Sequence, residues 1–65
     1  MKLWINSQEH DCEYDNLAQL VLHLGYATRP VVVAVNQTHI LRSQWAPHTL
    51  NEGDVVDILV AIVGG

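Results

Sequence analysis

One stretch of helical periodicity interrupts a sequence that is otherwise patterned for strands, and it limits the folds open to this chain. Apolar residues recur there at intervals of three and four, on one side of an amphipathic helix: Leu17, Leu20, Val21 and Leu24. Asn16 is a favourable N-cap, Gln19 completes a capping-box pattern, and Gly25 can take the left-handed conformation that ends a helix. A helix this short needs a packing partner, so the rest of the chain must supply a sheet.

The residues before this helix predict a hairpin. In residues 1–6, Leu3 and Ile5 fall on one side of the chain, as in a strand with one buried face. Residues 6–9 are polar and favour a turn. The second strand is predicted through His10, Cys12 and Tyr14.

The residues after the helix predict further strands. Pro30 forces an extended conformation and introduces the strand-forming run 31–35. The other elements follow in order: a turn at 36–38, a short return strand at 39–41, a helical turn at 42–45, a turn at 51–54 and a final strand at 55–62. The first and last strands are expected at the centre of the sheet and parallel, because the helix supplies the crossover between strands. The fold class is therefore α+β, with a mixed sheet of four to five strands and one helix on one face.

Composition excludes several classes of protein. The 65 residues are 49% hydrophobic, enough for the core of one domain spanning 1–65. Cys12 is the only cysteine, so no internal disulfide forms, and a reducing, cytoplasmic location is expected. No apolar run approaches the ~20 residues of a membrane span. The net charge is -4 and the three basic residues are scattered, which disfavours nucleic acid and favours a protein partner with a basic docking surface.

A single helix leaves one face of the sheet open, and this face is the predicted docking surface. Asp57 should not be buried unpaired, so its side of the final strand, with Leu59, is placed on the open face. Trp4 and Ala34 from neighbouring strands are expected to join Leu59 in an exposed apolar patch near the end of the final strand. The alternative is that the loop around Trp45 folds over this patch.

No side chains form a recognisable catalytic or metal site. The four histidines do not have metal-ligand spacing, Cys12 is interpreted as a small buried strand residue, and no catalytic triad or phosphate loop is present. If the chain takes part in chemistry, the reacting group is its own terminal carboxylate. A flexible tail is expected at 62–65: Ile62, Val63, Gly64 and Gly65. The alternative is a frayed end without a function.

The whole chain resembles the ubiquitin-like β-grasp proteins and, among them, the sulfur carriers of thiamine biosynthesis (the ThiS family). The resemblance rests on Ile5-Asn6, VAVNQ at 33–37, RSQWA at 42–46, LNEGDVVDI at 50–58 and the terminal Gly64-Gly65. One departure is Leu41, where many relatives carry proline before the arginine. We interpret this difference as a change in turn stiffness only.

The resemblance implies a carrier that is not itself an enzyme and binds no cofactor. A partner adenylyltransferase, similar to ubiquitin-activating enzymes, would use ATP and magnesium to adenylate Gly65. A cysteine desulfurase system would supply the sulfur that converts the adenylate to a thiocarboxylate, and thiazole synthase would accept it. The free chain is expected to be monomeric. Four or five extended residues reach ~13–17 Å, enough to enter a partner's active site.

Three other functions remain open at this point. The small subunit of molybdopterin synthase uses the same fold and terminus for another sulfur acceptor, although such chains are usually longer. A protein modifier would instead be joined to lysine through an isopeptide bond. An adaptor domain would have no use for the terminal glycines.

Overall fold

Five strands and one α-helix form the part of the chain that is described, residues 1–61 of a computed structural model. The elements are β1 (Lys2–Ile5), β2 (Gln8–Asp11), α1 (Leu17–His23), β3 (Val31–Val35), β4 (Thr38–Ile40), a short 3-10 helix (Arg42–Gln44) and β5 (Val55–Val60). The strand order is β2-β1-β5-β3-β4, and only β1 and β5 run parallel among these neighbours. This arrangement confirms the predicted α+β class and the parallel pairing of the first and last strands, and the sheet has five strands where four to five were predicted.

The hydrophobic core lies on one face of the sheet, beneath the helix. Alternate residues of three strands point into it: Leu3, Ile5, Val33, Val35, Val56 and Ile58. The helix contributes Leu17, Leu20 and Val21, and the loop after the 3-10 helix contributes Trp45 and Leu50. Burial of each such side chain stabilises the fold by roughly 1.5–3 kcal/mol before entropy is counted. The opposite face carries no element over it within residues 1–61.

The helix begins at the predicted cap and ends one residue before the last member of the predicted stripe. The Asn16 Oδ1 atom accepts a hydrogen bond from the Gln19 amide at 2.9 Å, and the Gln19 Oε1 atom accepts one from the Asp15 amide at 3.0 Å. These reciprocal bonds satisfy backbone donors that the first turn leaves unpaired. At the other end, Gly25 adopts a φ of 86°, the left-handed conformation predicted for it.

Both hairpin turns are tighter than predicted, and this shifts β2 and β4 along the sequence. In the first turn Asn6 and Ser7 have positive φ angles of 50° and 68°. A two-residue turn of this kind matches the twist of paired strands. Because the turn is complete at Ser7, β2 begins at Gln8 and ends before Cys12. The prediction that β2 extends through Cys12 and Tyr14 was therefore wrong.

The second hairpin repeats the same geometry, with φ angles of 50° at Asn36 and 70° at Gln37. Consequently β4 covers Thr38–Ile40, one residue earlier than predicted. The last strand also ends earlier, at Val60, and Ala61 has no strand conformation. The predicted last residue of that strand, Ile62, lies outside the described residues.

Candidate functional site

The base of the predicted tail is the end of β5, which lies between β1 and β3 in the sheet. Beyond the strand, the Ala61 amide still donates a hydrogen bond of 2.7 Å to the Pro30 carbonyl oxygen, next to the start of β3. The chain is thus held by β3 as far as Ala61. The tail itself (Ile62, Val63, Gly64 and Gly65) lies outside the described residues.

The predicted docking residues all lie on the open face of the sheet. Trp4 and Leu59 are 43% and 67% exposed, whereas Ala34 and Asp57 are partly buried and face each other across β3 and β5. Trp45, by contrast, is buried in the core under the helix, where its Nε1 atom donates a hydrogen bond of 2.9 Å to the Ile40 carbonyl oxygen. The alternative in which the Trp45 loop covers the open face was therefore wrong.

The strand register divides the predicted patch into two parts. Trp4 is paired with Val55 at the beginning of β5, whereas Leu59 is paired with Val32 near its end. Leu59 is four residues beyond Val55, so Trp4 and Leu59 are about 13 Å apart along the strand direction. The half-buried Asp57 lies between these two positions. Only Leu59 is close to the base of the tail; Trp4 is at the other end of the sheet.

A row of three exposed apolar side chains crosses the sheet beside the tail. Leu59 on β5 lies opposite Val32 on β3, and the pairing of Val33 with Ile40 brings the next residue, Leu41, alongside Val32. Their exposed fractions are 67%, 43% and 60%. We call Leu59, Val32 and Leu41 the tail-end row. The sequence interpretation placed Leu41 in the return strand at 39–41 but treated it only as a change in turn stiffness; its parity with the outward-facing His39 was the available signal.

Arg42 and Trp45, two residues of the family-like RSQWA segment, have structural roles at this end of the sheet. The Arg42 guanidinium donates hydrogen bonds to the carbonyl oxygens of Ala27 and Arg29, at 2.9 and 2.8 Å. It also lies 4.8 Å from the centre of the Trp45 ring, within range of a cation–π interaction. Since Trp45 is buried, Arg42 fixes the loop before β3 to the core. This loop contains Pro30, which binds Ala61.

Polar side chains of the two hairpin turns fix β5 at its start and further along the strand. Asn36 donates to the Asp54 carboxylate at 3.1 Å and accepts from the Val55 amide at 3.0 Å. Asn6 accepts from the Ile58 amide at 2.8 Å, which continues the β1–β5 ladder past the last residue of β1. These bonds join both hairpin turns to β5. Asn6, Asn36 and Asp54 of the family-like segments are therefore explained by the architecture.

An open depression of about 380 Å³ borders the tail-end row at the outer edge of the sheet. Its lining comes from β4 and the following loop: His39, Ile40, Leu41, Gln44, Pro47 and His48. Leu41 belongs to both the row and this lining. The depression thus adjoins the open face at Leu41, and its lining is half polar and half apolar.

Cys12 has the properties of a structural thiol. Its side chain is partly buried against the core, and this burial raises the pKa of the thiol, with a further increase from the neighbouring Asp11 and Glu13 carboxylates. A raised pKa lowers the fraction of reactive thiolate. Among residues 1–61, no three histidine, cysteine or acidic side chains are grouped in a way that would hold a metal ion. None of the helices in that range has the length and apolar character required to cross a membrane.

The comparison with protein families gives a match over nearly the whole chain. The model of the ThiS family matches residues 3–65. A curated relative, the sulfur carrier protein ThiS of Escherichia coli (strain K12), is 29% identical over 66 residues, with all of both chains covered.

Two solved structures have the same fold. The crystal structure of the thiamine biosynthesis protein ThiS from Geobacter metallireducens superposes with a TM-score of 0.85 at 26% identity, covering both chains completely. An NMR solution structure of a thiamine biosynthesis protein from the same organism gives a TM-score of 0.79 at 28% identity, covering all of this chain and 88% of the other. These matches confirm the ubiquitin-like β-grasp fold that the sequence resemblance implied.

Proposed function

Since this chain belongs to the ThiS family, we propose that it is a sulfur carrier of thiamine biosynthesis and that Gly65 carries the sulfur as a thiocarboxylate. The observation that supports this most directly is the full-length alignment with a sulfur carrier protein, 100% of both chains. That alignment includes the terminal Gly64 and Gly65. On this proposal the chain is a co-substrate of other enzymes and has no catalytic residues of its own.

The proposed chemistry activates the carboxylate of Gly65 in two steps. In the first step the carboxylate attacks the α-phosphate of ATP in a partner adenylyltransferase, pyrophosphate leaves, and an acyl-adenylate forms. In the second, the terminal sulfur of a persulfide supplied by a cysteine desulfurase system attacks the acyl carbon, and AMP leaves. A thiol then reduces the resulting acyl disulfide, which releases the thiocarboxylate and leaves the sulfur donor as a disulfide. Thiazole synthase then takes the sulfur. ATP and magnesium belong to the adenylyltransferase, and this chain binds neither.

The architecture supports such a cycle by anchoring the base of the tail. Ala61 is bound to Pro30, and β5 is paired with β3 from Val56 to Val60, so the domain presents the tail from a fixed point. Four extended residues beyond Ala61 span at most about 13–14 Å. The partner's active site must therefore lie within that distance of the end of β5. A partner this close also touches the surface of the domain around Ala61.

We place the docking surface on the open face of the sheet, with Trp4, Ala34, Asp57 and Leu59 as its contacts. The exposed tryptophan is a kind of side chain that often dominates binding energy at interfaces, and the exposed leucine adds apolar area that a partner can bury. In this proposal the free carrier is monomeric and acts in the cytoplasm, as its single partly buried cysteine suits a reducing compartment.

Intact-mass measurement tests the proposed function. After incubation with the adenylyltransferase, magnesium ATP and the sulfur source, the wild-type chain should gain the mass that replaces one oxygen by sulfur. A chain lacking Gly65 should keep its fold, checked by circular dichroism, and gain nothing. If the wild-type chain also gains nothing, the proposal fails. Transfer of sulfur to thiazole synthase, but not to molybdopterin synthase, would identify the proposed acceptor.

A further inference from the structure

Acidic residues gather at the end of the sheet where β5 begins, which we call the turn end. The parallel register sets Trp4 beside Val55, so the start of β1 and its neighbours lie at this end. Five of the seven acidic residues belong here: Glu9, Asp11, Glu13, Glu52 and Asp54. Lys2 lies among them, and its ammonium group is 3.4 Å from the Glu9 carboxylate.

The opposite end, where β5 finishes and the chain continues to 62–65, carries two of the three basic residues. We call it the tail end. Arg29 precedes Pro30, whose carbonyl oxygen binds the Ala61 amide, and Arg42 donates a hydrogen bond to the Arg29 carbonyl oxygen. Arg29 is exposed, and within residues 1–61 its guanidinium forms no ion pair.

The two ends are far enough apart to act separately on a partner. From Val55 to Ala61 the chain covers about 20 Å, more than twice the ~8 Å over which salt screens exposed charges under physiological conditions. A partner at the tail end therefore meets two arginines and the half-buried Asp57, which lies two residues before Leu59, more than the five acidic residues of the turn end. The local charge there is positive although the net charge is -4. The net charge favours a partner with a basic docking surface, and the distribution of charge reverses that expectation for the end that carries the tail.

We infer that the tail end is a contact surface for a protein partner that presents an apolar patch bordered by carboxylates. The tail-end row supplies the apolar contact, and Arg29 supplies the charge at its border. Arg42 is committed to Ala27, Arg29 and Trp45, so Arg29 is the arginine with a guanidinium available to a partner. Within this surface, Arg29 and Leu41 determine which partner is accepted.

The inference rests on the proposed function in one respect: the partner is the enzyme that adenylates Gly65. Such an enzyme must approach the tail end, because the tail is too short to reach it from elsewhere. Electrostatic complementarity at an interface mainly sets specificity and the rate of association, whereas buried apolar side chains near its centre contribute more of the affinity. Arg29 and Leu41 should therefore have separable effects.

A pair of charge reversals at the two ends tests the contribution of Arg29. Affinity of the adenylyltransferase for each variant is measured by titration calorimetry at low and at high salt. Arg29→Glu should weaken binding by about tenfold at low salt and by less at high salt. Lys2→Glu makes the same change of charge at the turn end and should alter the affinity by less than about twofold. Arg29→Gln, which removes the charge without reversing it, should fall between Arg29→Glu and the wild type.

A second pair tests Leu41. Leu22 on the helix is a matched control, since Leu22 is 59% exposed and Leu41 is 60% exposed. The two residues lie on different sides of the molecule. Leu41→Ser should weaken binding by about five- to tenfold, and Leu22→Ser should have no effect. Both substitutions are at exposed positions, and thermal unfolding of each variant verifies the fold.

Several results would overturn the inference. Equal affinities for Arg29→Glu and Lys2→Glu would show that the partner does not recognise the charge at the tail end. Tighter binding of Arg29→Glu than of the wild type would show that the partner's surface there is basic. Equal effects of Leu41→Ser and Leu22→Ser would remove the tail-end row from the interface. The mass gain at Gly65 is recorded for the wild type in parallel. If the wild type gains this mass but the tail-end variants bind as well as their controls, the inference fails and the proposed function stands. If the wild type gains no mass, both the inference and the proposed function fail.

Discussion

The two ends of β5 are built from different chemistry. At the turn end, hydrogen bonds accumulate: Asn36 joins Asp54 and Val55, Asp54 accepts from the Asn51 amide at 2.9 Å, and the Gly53 amide donates to the Lys2 carbonyl oxygen at 2.7 Å. At the tail end the surface is apolar, with Leu59 and Leu41 as its most exposed large side chains. Most of the side-chain hydrogen bonds that fix the sheet thus lie away from the tail end, where Arg42 holds the loop before β3 and the open face is apolar.

This separation has a physical reason. Directional bonds to backbone amides fix the register of a strand, and a shift by one residue would turn every core side chain outward. Once the register is fixed at the turn end, the tail end needs few further polar contacts, and Arg42 and the Ala61–Pro30 bond hold the backbone there. The other side chains of the tail end are then available for association, where apolar contact is the main source of free energy.

The largest expected effect separates the two ends in partner binding. Leu59→Asp places a charge in the tail-end row, beside Val32, and should weaken binding of the adenylyltransferase by about 100-fold. Trp4→Asp changes the same open face about 13 Å away and should weaken binding by only a fewfold. Titration calorimetry on both variants provides the comparison.

Because both positions are exposed, each aspartate variant should unfold at nearly the wild-type temperature, and this is the control for loss of structure. A larger loss of affinity for Trp4→Asp would place the main contact at the turn end. Unchanged affinity in both variants would show that partners dock elsewhere and not on the open face.

The next effect concerns stability and belongs to the turn end. Asn36→Gly keeps a residue suited to the positive φ angle but removes the bonds to Asp54 and Val55. We expect a loss of roughly 1–2 kcal/mol in the free energy of unfolding, measured with urea. Gln37→Gly is the matched control, since Gln37 shares the turn and its φ is 70°. It should be neutral or slightly stabilising.

If Asn36→Gly is no less stable than Gln37→Gly, the side-chain bonds do not fix this end of the sheet. Asn36→Ala should be less stable than Asn36→Gly by about 1 kcal/mol, because alanine resists the left-handed conformation. None of the three variants should change the affinity for the partner by more than about twofold, since the tail end is untouched.

Much of the fold could be predicted because its local signals agree with one another. The apolar stripe and the Asn16 cap locate the helix, and alternation locates the buried side of β1 and β5. The parallel pairing follows from the crossover. The errors in β2 and β4 arise from backbone angles at Asn6 and Asn36, because whether a polar stretch forms a turn of two residues or four depends on φ angles that its composition leaves undetermined.

The candidate site was harder to predict because it depends on register. Parity placed Trp4 and Leu59 on the same face, but only the pairing of Trp4 with Val55 shows how far apart they are. Trp45 was assigned a possible role over the open face, although its indole ring packs in the core with a hydrogen bond to Ile40. The separation of charge between the turn end and the tail end likewise could not be predicted before the strands were aligned, since the acidic residues are dispersed along the sequence.

The smallest expected effect is a dependence of stability on pH at the turn end. The Met1 ammonium group bonds to Glu13 at 3.2 Å and to Asp11 at 3.3 Å. The bond to Glu13 raises the pKa of the Met1 ammonium group above its ordinary value of 8.0. Desolvation lowers this pKa, and the bond to Asp11 raises it further. Because the folded state has the higher pKa, the stabilisation is complete below the unfolded pKa and is lost as the pH rises through the folded pKa.

The melting temperature of the wild type should therefore fall slightly as the pH is raised above 8.0. In an Asp11→Asn/Glu13→Gln variant, the decrease in melting temperature that comes from the Met1 ammonium group should be absent. The other groups titrate in both the variant and the wild type. The difference between the two profiles isolates the ammonium group. Since the group is fully exposed, the difference should be small and should shrink in high salt. Equal profiles would mean that these ion pairs add nothing to the hydrogen bonds of Asn36 and Asp54 at this end.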